Sequence, residues 1–145
     1  MTELKGEIAP FSDQDLPVII ALWERAGLTR PWNNPGTDIA FAQQSPNTEI
    51  LVCRAGNDII ATVMVGHDGH RGAVYYLAVD PDQQNRGLGK TMMAAAENWL
   101  KQQGVWKLNL MIRGDNNQVE AFYKQVGYLR EDRIVMSRKL DEDPD

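Results

Sequence analysis

The sequence predicts an α/β (α+β) domain in which helices flank one mixed sheet, and three observations lead to this prediction. Apolar side chains recur at helical spacing in two segments, Leu16 to Trp23 and Leu88 to Trp99. Between them lie three runs rich in β-branched and aromatic residues, separated by short turns that contain Gly and Asp. Helical and extended segments therefore alternate along the chain, as is typical of a sheet covered by helices.

Local signals define the ends of the predicted elements. Ser12 and, three residues later, Asp15 have the spacing of a capping box that opens the first helix, and Gly27 can close it. Gly104 and Gly127 can close two later helices in the same way. In chain order the predicted elements are a strand at 7–11, helices at 12–27 and 38–44, strands at 49–55, 59–66 and 73–79, a helix ending at 104, a strand at 107–112, a helix at 118–126 and a strand at 134–139.

Composition and charge limit the classes of function. The 145 residues fit one domain, predicted over 1–140, and the acidic stretch 141–145 is predicted to be a disordered tail. The net charge of −5 argues against nucleic acid as a partner, because such binding needs clustered Lys and Arg. No apolar run approaches the roughly 18–20 residues that span a bilayer, and the amino terminus lacks the apolar centre of a signal peptide. We therefore expect a cytoplasmic protein without a membrane partner.

Cys53 is the single cysteine, so no internal disulfide can form. It lies in the apolar run that we interpret as a buried strand. Since burial in apolar surroundings opposes ionisation of a thiol, we expect inert packing rather than a reactive nucleophile.

A polar loop between a strand and a helix is the most informative segment. The strand ends at Val79, and the helix opens on Gly87–Leu88–Gly89. The amino end of a helix presents unpaired N–H groups and a positive dipole end, and glycines let an anion approach that backbone closely. Arg86 and Lys90 add positive charge at the same place. We predict a seat for a phosphate or pyrophosphate here, and a plain tight turn is the alternative explanation of the glycines.

Two nucleotide motifs fit this loop less well. Gly89–Lys90–Thr91 supplies the end of a P-loop, but Gln84 stands where the first glycine of that motif should be. A dinucleotide fingerprint fails because Met92 replaces its third glycine. A P-loop nucleotide enzyme is kept as an alternative.

The loop is part of a longer pattern, carried by two spaced motifs. The first, Gln84-x-x-Gly87-x-Gly89, resembles the Q/R-x-x-G-x-G/A signature of the GNAT superfamily of acetyl-CoA-dependent N-acetyltransferases. The second, Asn116-x-x-Val119-x-x-Phe122–Tyr123-x-x-x-Gly127–Tyr128, resembles the second signature of that family, with Val119 in a position that alanine usually holds. The stretches around Trp23–Glu24–Arg25, Arg30–Pro31–Trp32–Asn33 and Asp68–Gly69–His70–Arg71–Gly72 are similar to a small bacterial branch of the family, the YpeA-type acetyltransferases.

The resemblance implies a single-domain GNAT fold, with a mostly antiparallel central sheet, one splayed strand pair and about four helices. It implies acetyl-CoA as co-substrate, no metal, and direct transfer of the acetyl group to a primary amine of a small molecule or peptide in a ternary complex. A homodimer is the assembly expected by default. A non-catalytic acyl-CoA-binding module of the same fold is the alternative to an enzyme.

The resemblance also implies roles for individual residues. Asn116 would donate a hydrogen bond to the pantetheine arm, and the alternative is a helix N-cap. Tyr123 would stand near the cofactor sulfur and protonate the departing thiolate as general acid, and the alternative is a core aromatic. The remaining implied contacts are made by backbone groups: Leu77, Ala78 and Val79 with the pantetheine arm, and Gln84, Asn85, Arg86, Gly87, Leu88, Gly89 and Lys90 with the pyrophosphate.

No general base is assigned by the resemblance. The two places where family members carry a glutamate hold Ala73 and Met111 here. His70, in the turn with His67 and Asp68, is the nearest titratable candidate, and a solvated hairpin tip is the alternative. Glu24 on the first helix and water are further options.

A Pro-containing loop is the candidate contact surface for the acceptor. Trp32, together with Arg30 and Asn33, would line the acceptor pocket, because loops on a rigid scaffold often carry substrate contacts. The alternative is that Trp32 covers the core beneath the first helix.

Overall fold

The computed structural model describes residues 6–141, which form two compact units that divide after Met111. The acidic tail predicted at 141–145 lies, apart from Asp141, outside the described residues. The first unit contains β1 (Glu7–Pro10), α1 (Leu16–Arg25), α2 (Pro35–Gln43), β2 (Thr48–Ala55), β3 (Asp58–His67), β4 (Gly72–Val79), α3 (Leu88–Gln102) and β5 (Leu108–Asn109), and the second contains α4 (Asn117–Gln125).

The first unit is built on one five-stranded sheet with strand order β1-β2-β3-β4-β5. The pairs β1–β2, β2–β3 and β3–β4 are antiparallel, and β4–β5 is parallel. The helical crossover through α3 makes that parallel pair possible, because parallel neighbours need a long connection. The predicted fold class, a mixed and mostly antiparallel sheet with four helices, is confirmed.

The predicted capping pair opens a 3-10 turn, Asp13–Asp15, and α1 follows this turn from Leu16. The Asp15 carboxylate accepts hydrogen bonds from the Ser12 N–H at 2.8 Å and from the Ser12 hydroxyl at 3.1 Å. The same carboxylate pairs with Arg54 of β2, which lowers the pKa of Asp15 against the opposing effect of burial. Gly27 follows the helix with φ of 74°, the left-handed conformation that suits glycine. Sequence-local signals thus define both ends of α1, and Asp15 ties its beginning to the sheet.

The core around α1 and α2 is built from fully apolar side chains and one indole. Trp23 is completely buried, and its Nε1–H donates to Thr62 Oγ1 at 2.8 Å, which satisfies its single polar atom. In this core, side chains of α1 and α2 pack against side chains of the sheet. The helices contribute Ile19, Leu22, Trp23 and Ile39, and the strands contribute Ile50, Val52, Ile59, Met64 and Ala78. This packing places Trp23 directly beside the central strands.

Cys53 lies in β2 with 1% of its surface exposed. The backbone of Gly6 covers its sulfur so closely that a Cβ at that glycine would lie 2.2 Å from Cys53 Sγ. Burial raises the pKa of the thiol. The thiol is therefore packed and protonated.

Two predicted strands differ from the structure. The strand predicted at 107–112 is only Leu108–Asn109, and the strand predicted at 134–139 is not formed. The apolar side chains of Ile134 and Met136 are more than four-fifths exposed. Apolar and β-branched composition favoured a strand there, but a strand also needs a neighbouring edge to bond with, and no described residue pairs with this segment.

Candidate active site

The centre of β4 carries a β-bulge. Tyr75 pairs with Met64 and Ala78 with Thr62, so two residues of β4, Tyr76 and Leu77, stand opposite Val63 alone. Tyr76 has φ of 52°, a left-handed conformation that bulky residues rarely adopt. A bulge increases the local twist and bends the strand, and bulges are common next to active sites.

Several contacts hold the bulge from one side of the sheet. The Tyr76 ring stacks on Trp23 with centroids 3.8 Å apart and planes within 6° of parallel. The Thr62 hydroxyl, which accepts from Trp23, donates to the Tyr76 carbonyl oxygen at 3.1 Å. The Tyr76 hydroxyl donates to Asp38 Oδ2 at 2.5 Å, and burial, together with that carboxylate, raises the pKa of the phenol. Sequence reasoning did not find this cluster, because its hydrogen-bonded partners are 14 to 39 residues apart and a bulge has no signature in the strand pattern.

Beyond the bulge, β4 has a free edge. It pairs with β5 only at Gly72↔Leu108 and Ala73↔Asn109, and the structure pairs none of its later residues with β5. On the other edge the Asp80 N–H donates to the Ile60 carbonyl at 2.9 Å. Since backbone groups alternate between the two edges of a strand, the N–H and C=O of Val79 point to the free edge. The strand pair is splayed, and its opening exposes backbone groups of β4.

The segment after β4 is a structured turn. Asp80 Oδ1 accepts from the Asp82 N–H at 3.0 Å, and the Asp80 carbonyl accepts from the Gln83 N–H at 2.8 Å. A single 3-10 turn, Pro81–Gln83, results. Asn85 and Gly87 then adopt left-handed conformations, with φ of 65° and 76°, which asparagine and glycine tolerate best. The turn leads into the amino end of α3.

The amino end of α3 presents backbone donors to open space. Its first helical hydrogen bond runs from the Thr91 N–H to the Gly87 carbonyl at 3.0 Å, so the N–H groups of Leu88, Gly89 and Lys90 lie outside the helical pattern. A Cβ built on Gly87 meets nothing within 4 Å. The Leu88 side chain is buried and anchors the helix. This arrangement suits an anion.

Two cations stand at the same opening. Arg86 and Lys90 are exposed, and neither has an ion-pair partner among residues 6–141. Their charge adds to the positive end of the α3 dipole. The structure thus brings together the free edge at Val79, the open helix end and both cations that the sequence placed in one loop.

The second unit contains α4 and its caps. Asn116 is the N-cap, and its Oδ1 accepts from the Val119 N–H at 3.2 Å. At the other end the Tyr128 N–H donates to the Tyr123 carbonyl at 2.9 Å and the Gly127 N–H to the Lys124 carbonyl at 3.2 Å, with Gly127 at φ of 101°. This is a Schellman motif, which requires the glycine. The spacing of the second sequence motif therefore has a structural cause, namely the two ends of α4.

Tyr123 lies in an aromatic group within this unit. Its ring makes edge contacts with Phe122, at 5.0 Å between centroids, and with Tyr128, at 5.7 Å. Burial raises the pKa of Tyr123, so the phenol keeps its proton at neutral pH. A protonated phenol is a proton donor.

The Pro-containing loop that carries Trp32 is exposed. Trp32 has 64% of its surface accessible, so the interpretation that it covers the core is wrong. The Asn33 N–H donates to the Arg30 carbonyl at 3.0 Å, and the Arg30 guanidinium donates to the carbonyls of Gly27 and Thr29. The loop is a tight turn that presents Trp32 outwards.

The turn with His70 is a closed hairpin tip. Asp68 Oδ1 accepts from the N–H groups of His70 and Arg71, each at 2.8 Å, and these bonds lower the pKa of Asp68. His67 Nδ1 accepts from the Gly69 N–H at 3.0 Å. The tip precedes Gly72, at the opposite end of β4 from Val79 and roughly 20 Å away along the strand. The Asp68 carboxylate and His67 Nδ1 therefore stabilise the turn itself.

The model of the acetyltransferase (GNAT) family matches residues 18–128. The chain belongs to the GNAT family of acetyltransferases. An acetyltransferase of Sodalis glossinidius is 38% identical over 94% of this chain and 97% of its own length, and one of Pectobacterium atrosepticum is 39% identical over the same shares. The enzyme class predicted from the two motifs is confirmed, and the chain is a GNAT acetyltransferase.

Solved structures of GNAT enzymes share the fold of this acetyltransferase. The PaiA N-acetyltransferase of Thermoplasma acidophilum in complex with coenzyme A superposes with a TM-score of 0.76 at 20% identity, covering 90% of this chain and 93% of the other. An aminoglycoside N-acetyltransferase in complex with CoA has a TM-score of 0.79 at 16% identity, covering 94% and 95%. At these identities the likeness establishes the fold.

Within residues 6–141, no three His, Cys, Asp or Glu side chains are grouped so that they could hold a metal ion. None of the helices in the described part of the chain has the length and apolar character needed to cross a membrane.

Proposed function

We propose that this acetyltransferase moves the acetyl group of acetyl-CoA directly to a primary amine in a ternary complex. The observation that carries the proposal is the continuity between the free edge of β4 and the open end of α3. Val79 presents backbone groups that β5 does not pair, and eight residues later Gly87 caps the open amino end of α3. An extended amide-containing arm can pair with the first, and a diphosphate can bind the second.

The chemistry of acetyl-CoA fits these residues. The pantetheine arm carries amides that can add to a strand edge as an extra strand would, with Leu77, Ala78 and Val79 as the proposed partners. The pyrophosphate is an anion, and the segment from Gln84 to Lys90 offers backbone donors and two unpaired cations. Because Gly87 has open space where a Cβ would stand, a phosphate can approach the backbone there.

The chain's own side chains then serve the transfer. Tyr123, which burial keeps protonated, is the proposed general acid for the departing thiolate. Asn116, besides capping α4 through its Oδ1, has an amide NH₂ that can donate to the pantetheine arm. The amine must be neutral when it attacks, and water or an acceptor of low pKa meets that need without an assigned base.

The acceptor is proposed to be an amine of a small molecule or peptide that contacts Trp32 and Asn33, with His70 as a further candidate contact. Similar folds include aminoglycoside acetyltransferases and a ribosomal-protein alanine N-acetyltransferase, so both chemical classes belong in a substrate panel. We further propose the YpeA-type branch, a cytoplasmic location, a homodimer and a single domain over 1–140.

The test is release of free CoA thiol from acetyl-CoA across a panel of amino sugars, polyamines, amino acids and peptides, together with calorimetric binding of CoA. We expect CoA to bind and at least one amine class to release thiol above the hydrolysis rate. Binding without thiol release from any amine would instead favour a non-catalytic acyl-CoA module. Retention on an ATP matrix, with no binding of CoA, would overturn the proposal.

A further inference from the structure

Tyr76 stands at the centre of β4 in a conformation that its own side chain disfavours. Its φ of 52° lies in the left-handed region, where bulky aromatic residues are outliers. Such a residue persists only where its surroundings over-determine it, and such sites are concentrated where a structure serves a function. The contacts of Tyr76 are therefore informative about what the bulge is for.

These contacts hold every part of the residue. Trp23 fixes the ring face, Thr62 fixes the backbone carbonyl, and Asp38 fixes the hydroxyl. Trp23 and Thr62 are completely buried and bonded to each other, so two of the three partners belong to the rigid core. Asp38 is different, because it lies in the first turn of α2 and is only half-buried.

Asp38 has no other task among the residues that the structure describes. Its carboxylate makes no ion pair with any residue from 6 to 141, and the bond to Tyr76 is its one side-chain hydrogen bond there. A hydrogen bond to a charged acceptor is stronger than a neutral one and is directional. Asp38 thus holds the hydroxyl of Tyr76, and the backbone of the same residue forms part of the bulge.

We propose that Asp38 is a positioning residue for acetyl transfer. By accepting the hydrogen bond of the Tyr76 hydroxyl, it holds the bulge of β4 in the geometry that the transfer requires. The proposal rests on the proposed function, in which the cofactor arm lies along β4 from the bulge onwards. The bulge sets the direction of the backbone beyond it, so a rotation of the Tyr76 ring would tilt the edge that carries Leu77 to Val79.

The same bond also links β4 to the acceptor loop. Asn34, the N-cap of α2, accepts from the Thr37 N–H at 3.1 Å and follows Trp32 and Asn33 directly. Asp38 is the next residue after Thr37. One hydrogen bond therefore connects the segment proposed for the acceptor with the strand proposed for the acetyl donor, which is what alignment of two reactants requires.

The experiment compares four variants by kcat, by calorimetric affinity for CoA and by thermal unfolding: Asp38→Ala, Asp38→Asn, Tyr76→Phe and the double variant Asp38→Ala/Tyr76→Phe. We expect Asp38→Ala and Tyr76→Phe each to lower kcat by about 10- to 100-fold, the size of effect that a small misplacement causes. CoA affinity should change less than about threefold, because the α3 end is untouched. The double variant should be no slower than the slower single variant, since both remove one bond.

Asp38→Asn is the conservative rescue. Its amide oxygen can accept the Tyr76 hydroxyl proton, so we expect kcat within about fivefold of wild type. Asp13→Ala is the matched control, because Asp13 also accepts a side-chain hydrogen bond from α2, through Gln43 Nε2 at 2.8 Å, without touching β4. It should leave kcat unchanged.

Three results would overturn the inference. They are an unchanged kcat in Asp38→Ala, additive losses in the double variant, and an Asp38→Asn variant as slow as Asp38→Ala, which would mean that the charge and not the bond is needed. Amide hydrogen exchange gives a readout without turnover. We expect faster exchange at Leu77 in Asp38→Ala and not in Asp13→Ala, and equal exchange would also overturn it. A wild-type enzyme that is inactive with every amine would count against the proposed function alone. The role of Asp38 in holding the bulge would still be decided by the exchange measurement.

Discussion

Arg25 Nη2 lies 3.0 Å from Asp80 Oδ2, so the last turn of α1 is tied to the turn that leads into α3. The other carboxylate oxygen of Asp80 accepts from the Asp82 N–H. One side chain therefore both shapes the turn and anchors it to a helix of the core. Asp80 thus takes part in both contacts, whereas Arg25, with half of its side chain exposed, takes part only in the ion pair.

This difference predicts unequal effects on CoA binding. An exposed ion pair contributes about 0–1 kcal/mol, so Arg25→Ala should weaken CoA binding by no more than about fivefold. Asp80→Ala also removes a turn-capping bond worth about 1 kcal/mol and should weaken binding by about tenfold. Isothermal calorimetry measures both affinities. Equal losses in the two variants would mean that the turn is held by the salt bridge and not by the cap.

Gly87→Ala should weaken CoA binding through backbone strain. At φ of 76° an alanine costs about 1–2 kcal/mol, although nothing lies within 4 Å of the added Cβ. Gly104→Ala is the matched control, because Gly104 follows the other end of α3 with φ of 87° and equally open space. We expect similar losses of stability in urea titrations and a loss of CoA affinity only for Gly87→Ala. Equal affinities in the two variants would contradict the phosphate seat.

Arg86→Ala and Lys90→Ala should each weaken CoA binding by about two- to fivefold, corresponding to roughly 0.5–1 kcal/mol for a charge at a helix end. The double variant should show a weaker dependence of affinity on salt, because screening acts on the exposed charges that it lacks. Lys101→Ala, in the last turn of the same helix, is the control. A salt dependence of affinity unaltered by the double substitution would place the anion elsewhere.

Tyr123→Phe should lower kcat by about 10²- to 10⁴-fold, the contribution of a general acid, while CoA affinity stays within about twofold. Tyr128→Phe is the control, because it keeps the edge contact with Tyr123 and changes only a neighbouring hydroxyl. Since burial raises the pKa of Tyr123, its proton is retained through neutral pH and the rate should not fall from its loss until above about pH 10. A pH–rate profile with a basic limb below pH 9 that disappears in Tyr123→Phe would contradict the raised pKa.

Asp15→Asn should destabilise the fold by about 1–2 kcal/mol at pH 7, because the bond to Arg54 loses its charge. The folded-state pKa of Asp15 is lowered, so its stabilising contribution is fully present above its ordinary pKa and is lost as the pH falls from there through the lowered pKa. The difference between wild type and variant in urea titrations should therefore shrink below about pH 4. Asp13→Asn, in the same turn, should show a much smaller difference at pH 7.

The sequence was most informative where the physical cause is local. The capping pair of Ser12 and Asp15 and the left-handed glycines at Gly27 and Gly127 act within a few residues, so the carboxyl end of α1 and both ends of α4 were predicted closely, whereas the capping pair opens a 3-10 turn before α1. The two motifs are of the same kind. One is a strand-to-helix turn with an open amino end, and the other spans the N-cap and the Schellman motif of a single helix.

Features that depend on register or on distant partners were not predictable. Tyr75 and Tyr76 are adjacent in a β-rich run, and nothing in that run shows that Tyr76 is bulged and bonded to Asp38, 38 positions away. The prediction of a strand at 134–139 was wrong for a related reason. The composition of this segment suits a strand, but composition does not show whether a neighbouring strand is there to pair with it.

The position of Cys53 allows its thiol to report transient opening of the sheet at the β1 edge. Its sulfur lies under the backbone of Gly6, where β1 begins beside β2. A thiol reagent can reach it only when the β1 edge lifts away, and a single cysteine leaves no competing signal. The rate at which the reagent labels Cys53 therefore reports how often this edge of the sheet opens, in native conditions and without an engineered cysteine.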